Sequence, residues 1–194
     1  MLSKIFAIKN TLLNRSLINK FITGFSTNQL NEESGLDLDD FLLTFFTENY
    51  LERTLDHTLT TSLVAGLIFE NYIKDPQNLK FLQNITNVQI SNIKTMISIC
   101  AKLHDIGKIG IPCNILYKKK PLDSLEKKLI RSHTLVGSII IQYITKSFVK
   151  DNIDWKVNNN NIFTTLHTVV MRHHERPDGL GYPGKIKYLI KDLA

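Results

Sequence analysis

Apolar residues recur along the chain at helical spacing, and no stretch alternates strictly enough to read as a strand. Residues 1 to about 30 carry Leu, Ile and Phe between Lys4, Lys9, Arg15 and Lys20 and contain no acid. That pattern predicts one or two amphipathic helical segments, of the kind found in transit peptides, surface helices or the end of a preceding region. Residues 31–40 form an acidic break around Gly35 and are the best linker candidate. Residues 41 to about 55 are apolar enough for a helix. Over residues 56–74, His57, Thr61, Val64 and Ile68 share one face at spacings of four, three and four, and Asp75-Pro76 ends the pattern. Residues 77–88 are mixed and polar, and read as a loop with a helical turn.

A further run places Ile90, Ile93, Ile97, Cys100 and His104 on one stripe, closed by Gly107, Gly110 and Pro112. Asp123 with Glu126 three residues on is a capping box, and predicts a helix from Ser124. Its apolar face continues as Leu129, His133, Val136, Gly137, Ile140 and Ile144. The asparagine run at 158–161 reads as a loop. Ile162, Leu166, Val169, Val170 and His173 make the last stripe, stopped after Glu175 by proline and glycine. There is no internal repeat, and the class is all-α. The division predicted is an N-terminal helical extension or linker over 1–40 and a domain over 41–194.

Composition changes this picture little. The chain has 194 residues, 43% hydrophobic and 22% charged, enough for an ordinary buried core. The net charge of +6 hints at an anionic partner. No basic motif is interleaved with aromatics, so a nucleic-acid polymer is not the expected partner. Two cysteines, Cys100 and Cys113, are too few for a disulfide framework or a zinc knuckle. Cys100 reads as a reduced core residue, and the expected location is cytoplasmic. No apolar run approaches the roughly 20 residues of a membrane span.

Histidine changes it more. Of six histidines, His57, His104, His133 and His173 each fall on the apolar face of a predicted helix. Burying imidazoles without partners costs a few kcal/mol each, and a shared metal would use their lone pairs instead. Asp105 and His174 directly follow two of them. Neighbouring helix residues point about 100° apart, which suits two adjacent metals or one metal with an outer partner. A set of imidazoles and a carboxylate without thiolate favours iron, manganese or another first-row ion over structural zinc. Asp105 could bridge two cations, and a pair about 3.5–4 Å apart is the arrangement that activates water for attack on phosphorus. Lys108 sits about one turn on, where an ammonium could hold a phosphate. His167 lies off the ligand face and reads as structural or exposed.

His104-Asp105 with Gly107-Lys108, then His133-Thr134-Leu135-Val136-Gly137, then His173-His174-Glu175 and Asp178-Gly179-Leu180-Gly181-Tyr182-Pro183, together resemble the HD-GYP family of the HD phosphohydrolase superfamily. The resemblance runs from about Asp56 to Gly184. It implies a helical bundle around a bi- or trinuclear centre, usually of iron or manganese, and hydrolysis of cyclic di-GMP to pGpG or GMP. The ligands it implies are His57, His104, Asp105, His133, His173 and His174. The catalytic pair is Asp105, bridging the metals, and Lys108, contacting a phosphate. Gly179, Gly181, Tyr182 and Pro183 would form a loop on one side of the substrate pocket. Some members carry a glutamate four residues before the first histidine, which adds a third metal. Arg53 stands there, so two metals are expected. The partners implied are a cyclic dinucleotide, GGDEF-type or other signalling proteins, and a second copy in a homodimer. The family's domain continues past the loop to a further aspartate ligand, and Asp192 is too close to the loop to replace it. The expectation is therefore a domain lacking its C-terminal part. The alternative function is a degenerate module that binds nucleotide or a partner without catalysis.

Overall fold

The structure is a computed structural model, and it describes residues 43, 51–85, 90–151 and 153–187. The predicted N-terminal segments, the linker and Asp192 lie outside the described residues. Those described are helical, with an isolated antiparallel bridge between Asp178 and Lys187 and no strand among them. They fall into two compact units, one ending at Leu103 and the other beginning at His104.

The first unit contains α1 (Glu52–Tyr72), α2 (Pro76–Ile85) and α3 (Ile90–Leu103). Helices α1 and α3 pack together, joined by the Ser62 and Ser98 hydroxyls at 2.8 Å and by a Lys94–Glu70 ion pair. The buried side of α1 is Thr54, Leu55, Thr58, Ser62 and Phe69. This corrects the expected core face. Val64 is 49% and Ile68 66% exposed, and His57 is exposed as well. The helix is apolar around much of its circumference, so periodicity fits two stripes and cannot choose between them. The buried stripe carries small hydroxyl residues, which allow close approach to α3. Thr58 satisfies its own hydroxyl by donating to the Leu55 carbonyl at 2.9 Å. Pro76 also opens a helix where it was expected only to end one. Its fixed φ suits the first helical position, and the Asp75 carboxylate accepts the Gln77 N–H at 2.8 Å. The predicted loop at 77–88 is therefore helical as far as Ile85. On α3 the buried residues are Ile99, Cys100 and Leu103, so of the predicted stripe Cys100 alone is buried, and His104 lies just past the helix end.

The second unit runs through a 3-10 turn (Ile106–Gly110), α4 (Cys113–Leu116), α5 (Ser124–Arg131), α6 (His133–Asp151) and α7 (Ile153–Arg172). Its buried apolar side chains include Ile106, Ile109, Ile111, Ile140, Ile141, Phe163, Leu166 and Val170. Each is worth about 1.5–3 kcal/mol when fully buried. The capping box at α5 forms as predicted. Asp123 accepts from the Leu125 and Glu126 N–H groups at 2.8 Å each, and Glu126 accepts from the Asp123 N–H at 2.9 Å.

Three expectations for this unit fail. The single helix from 124 to 144 is broken at Ser132, whose N–H is shared between the Lys128 and Leu129 carbonyls, both at 3.1 Å. The asparagine run lies inside α7, which packs along α6. Asparagine is only a few tenths of a kcal/mol worse than good helix formers, and packing outweighs that. Helix α7 also stops at Arg172, three residues earlier than expected.

Candidate metal centre

Asp105 follows α3 by two residues and opens the 3-10 turn, whose first bond joins the Lys108 N–H to the Asp105 carbonyl at 2.9 Å. What brings this turn to α6 is a pair of glycines. A Cβ on Gly107 would strike the His133 carbonyl and the Gly137 backbone, and one on Gly137 would come within 2.7 Å of Val170. The turn can therefore lie against α6 only without side chains at 107 and 137, and this contact sets Asp105 beside His133.

The Asp105 side chain is 2% exposed. The Lys108 ammonium lies 2.5 Å and the His104 Nε2 3.2 Å from its Oδ2. The His133 Nε2 stands 3.2 Å and the His173 Nε2 3.8 Å from its Oδ1. Burial alone would push this carboxyl up. The neighbouring His104 and the Lys108 ammonium outweigh it and hold the group ionised, far below the usual carboxylate range.

The two imidazoles are fixed from behind. His133 Nδ1 donates to the Ile130 carbonyl at 2.7 Å, across the break between α5 and α6, and His173 Nδ1 donates to the Val170 carbonyl at 3.0 Å. Only a protonated Nδ1 can bond a carbonyl, so in the neutral rings each Nε2 presents a lone pair. Those Nε2 atoms are 3.2 Å apart. Burial, with His104 and His174 nearby, pulls His173 down to about 4, so its ring is neutral at pH 7. Two nitrogen lone pairs and a carboxylate oxygen thus converge on one point, an arrangement that a cation stabilises. Asp105, His133, His173 and His174 can each offer one ligand atom with all four atoms within 4.8 Å of one another. The residues present fit a metal ion.

His174 and the loop after it complete the second unit. The His174 carbonyl accepts the Tyr182 N–H at 3.1 Å, which folds the loop back over its own start. Glu175 holds it there, its carboxylate accepting from the Gly184 N–H and, at 3.0 Å, the Ile186 N–H. Gly179 takes a φ of +73°, and a Cβ on buried Gly181 would come within 2.5 Å of the His174 carbonyl oxygen. The Tyr182 ring is laid on the His174 ring at 4.6 Å and 20°.

No family model matches the chain. Over 93 residues it is 37% identical to a cyclic di-GMP phosphodiesterase of Thermotoga maritima, covering 48% of this chain and 22% of that protein. Over 87 residues it is 36% identical to a probable cyclic di-GMP phosphodiesterase of Vibrio cholerae, covering 45% and 18%. A 3′3′-cGAMP-specific phosphodiesterase 2 of Vibrio cholerae is 28% identical over 92 residues, covering 47% and 15%. The matched segments belong to proteins named as cyclic-dinucleotide phosphodiesterases. The chain spans about a fifth of the length of these relatives.

Of the HD-GYP positions named from sequence, the structure brings His104, Asp105, Lys108, His133, His173, His174 and Tyr182 together within the second unit. Pro183 follows Tyr182 through a cis peptide bond. His57 belongs to α1 of the first unit, where its carbonyl accepts the Thr61 hydroxyl at 2.7 Å. His167 pairs with the Gln142 amide at 2.8 Å, in keeping with a structural reading. Gly179 and Gly181 have a packing reason of their own inside the loop. Three features escaped the sequence reading: the carbonyls of Ile130 and Val170, the Glu175 brace, and Arg131, whose guanidinium lies 5.3 Å over the Tyr182 ring. Backbone carbonyls leave no residue-type signal. Glu175 could have been suspected, being the acid directly after the paired histidines. Among the described residues, no helix is long and apolar enough to cross a membrane.

Proposed function

We propose that the chain is the metal-binding part of a phosphodiesterase that hydrolyses cyclic di-GMP to pGpG or GMP. The observation that carries this reading is the convergence of the His133 and His173 Nε2 lone pairs on Asp105 Oδ1. The relatives' names, cyclic di-GMP and 3′3′-cGAMP phosphodiesterases, supply the substrate class. The ligand set is His57, His104, Asp105, His133, His173 and His174, holding two divalent ions, iron or manganese.

Bound there, the ions would supply Lewis-acid polarisation of a phosphodiester and lower the pKa of water. The chain's own residues do the rest. The carbonyls of Ile130 and Val170 keep the protons of His133 and His173 on Nδ1, so Nε2 is always presented. Asp105, lying between the histidines, would help to hold the ions. Lys108, whose ammonium pairs with Asp105 in this structure, would hold a substrate phosphate. The loop from Gly179 to Pro183 closes one side of the site. GGDEF-type signalling proteins and a second copy of the chain are its proposed partners, and the cytoplasm its location.

The test is turnover by the protein purified anaerobically and loaded with iron or manganese. Cyclic di-GMP should be converted to a linear product. Conversion of 3′3′-cGAMP alone would move the substrate assignment, and no conversion of either by metal-loaded protein would overturn the reading.

A further inference from the structure

His133 and His173 are each anchored by a ring nitrogen bonded to a backbone carbonyl. His174 is held differently. Its ring contacts are with other rings: Tyr182 at 4.6 Å and 20°, His173 at 4.3 Å, and His133 at 5.2 Å and 88°. The near-parallel contact with Tyr182 covers one face of the imidazole and fixes its plane. Tyr182 in turn lies under the Arg131 guanidinium, whose central carbon is 5.3 Å from the ring centroid. Arg131 ends α5, two residues before His133, so the helix junction that aims His133 also places Arg131. The loop end of the stack is set by the Tyr182 N–H on the His174 carbonyl and by the absence of a side chain at Gly181.

We propose that Arg131 and Tyr182 form a clamp that orients His174 as a ligand, making both positioning residues of the metal centre. The clamp does by stacking what backbone carbonyls do for the other two rings. Tyr182 is half-buried, and a cation over a tyrosine ring is worth enough to favour one ring position at least a few-fold; the stacked pair adds to it. The ligand role of His174 itself rests on the function proposed above. The orientation of its ring does not, so the two can be tested apart.

The test uses two readouts on wild type, Tyr182→Phe, Tyr182→Leu, Arg131→Lys and Arg131→Ala, each checked for folding by circular dichroism. In metal-free protein, the ring-proton shifts of His174 report the overlying aromatic ring by NMR. Tyr182→Phe and Arg131→Lys should keep the wild-type shifts, Tyr182→Leu should lose the ring-current displacement, and Arg131→Ala should reduce it. In the second readout cobalt(II) alone is titrated and followed by its visible absorption. Tyr182→Leu should weaken binding about 10-fold and Arg131→Ala about two- to five-fold, with an altered spectrum. Wild-type shifts and wild-type cobalt affinity in Tyr182→Leu or Arg131→Ala would overturn the clamp. If wild type bound no cobalt, the metal reading would fall while the NMR comparison still decided the clamp. If Tyr182→Leu did not fold, the Arg131→Ala and Arg131→Lys pair would decide it.

Discussion

The second unit aims its histidines in two ways. His133 and His173 are tied through Nδ1 to the carbonyls of Ile130 and Val170, so their direction follows from the local backbone. His174 sits past the end of α7 and depends on a loop that returns over it. The first arrangement is local in sequence: each carbonyl lies three residues before its histidine. The second spans eight residues of loop and an arginine from another helix. The anchored pair should therefore survive changes that loosen the loop, whereas the stacked ring should not.

Gly107→Ala should break the anchored side most severely. Its methyl group meets the His133 carbonyl and the Gly137 backbone, which cannot move independently. Overpacking of this kind costs about 1–3 kcal/mol, and shifting the turn draws Asp105 away from His133. Thermal unfolding should show the lost stability, and metal content should fall with it. A wild-type melting temperature and metal content would mean that the glycine contact does not set the site.

Glu175→Ala should act on the stacked side alone. Without the carboxylate that holds Gly184 and Ile186, the loop loses its brace. Metal affinity should drop about 10-fold, as for other residues supporting a ligand, with the overall melting temperature little changed. A drop in stability matching that of Gly107→Ala would erase the distinction between the two sides.

The smallest effect is a pH dependence of the metal-free protein. His173 is held down to about 4 from an ordinary 6.5. Between those values the unfolded chain takes up a proton that the folded chain does not. Its contribution to stability is thus complete above about pH 6.5 and is lost as the pH falls towards about 4. Unfolding followed from pH 7 to 5 should show this slope, and His173→Gln should flatten it. An unchanged slope in that variant would assign the titration to other groups.

Legibility of the fold tracked how local its causes were. The Asp123–Glu126 capping box was readable because donor and acceptor lie three residues apart. The break at Ser132 was not, since it interrupts a face whose apolar spacing continues straight through. The buried side of α1 was misread for a related reason: periodicity ranks faces by apolarity, and here Thr54, Thr58 and Ser62 are buried while Leu63, Val64, Leu67 and Ile68 are exposed. At the site, the candidate ligands were visible as histidines on apolar stripes, with Asp105 and His174 directly after two of them. What orients them was not, because two of the devices are backbone carbonyls and the third is a ring contact across the chain. The motif resemblance supplied the proposed substrate class, which no spacing could.

The central claim is that His133, His173 and Asp105 converge on a metal ion. Elemental analysis of anaerobically purified wild type, His133→Ala and Asp105→Ala tests it most directly. The account predicts stoichiometric iron or manganese in wild type and its loss in both variants, with each still helical by circular dichroism. Metal content unchanged in both folded variants would contradict it.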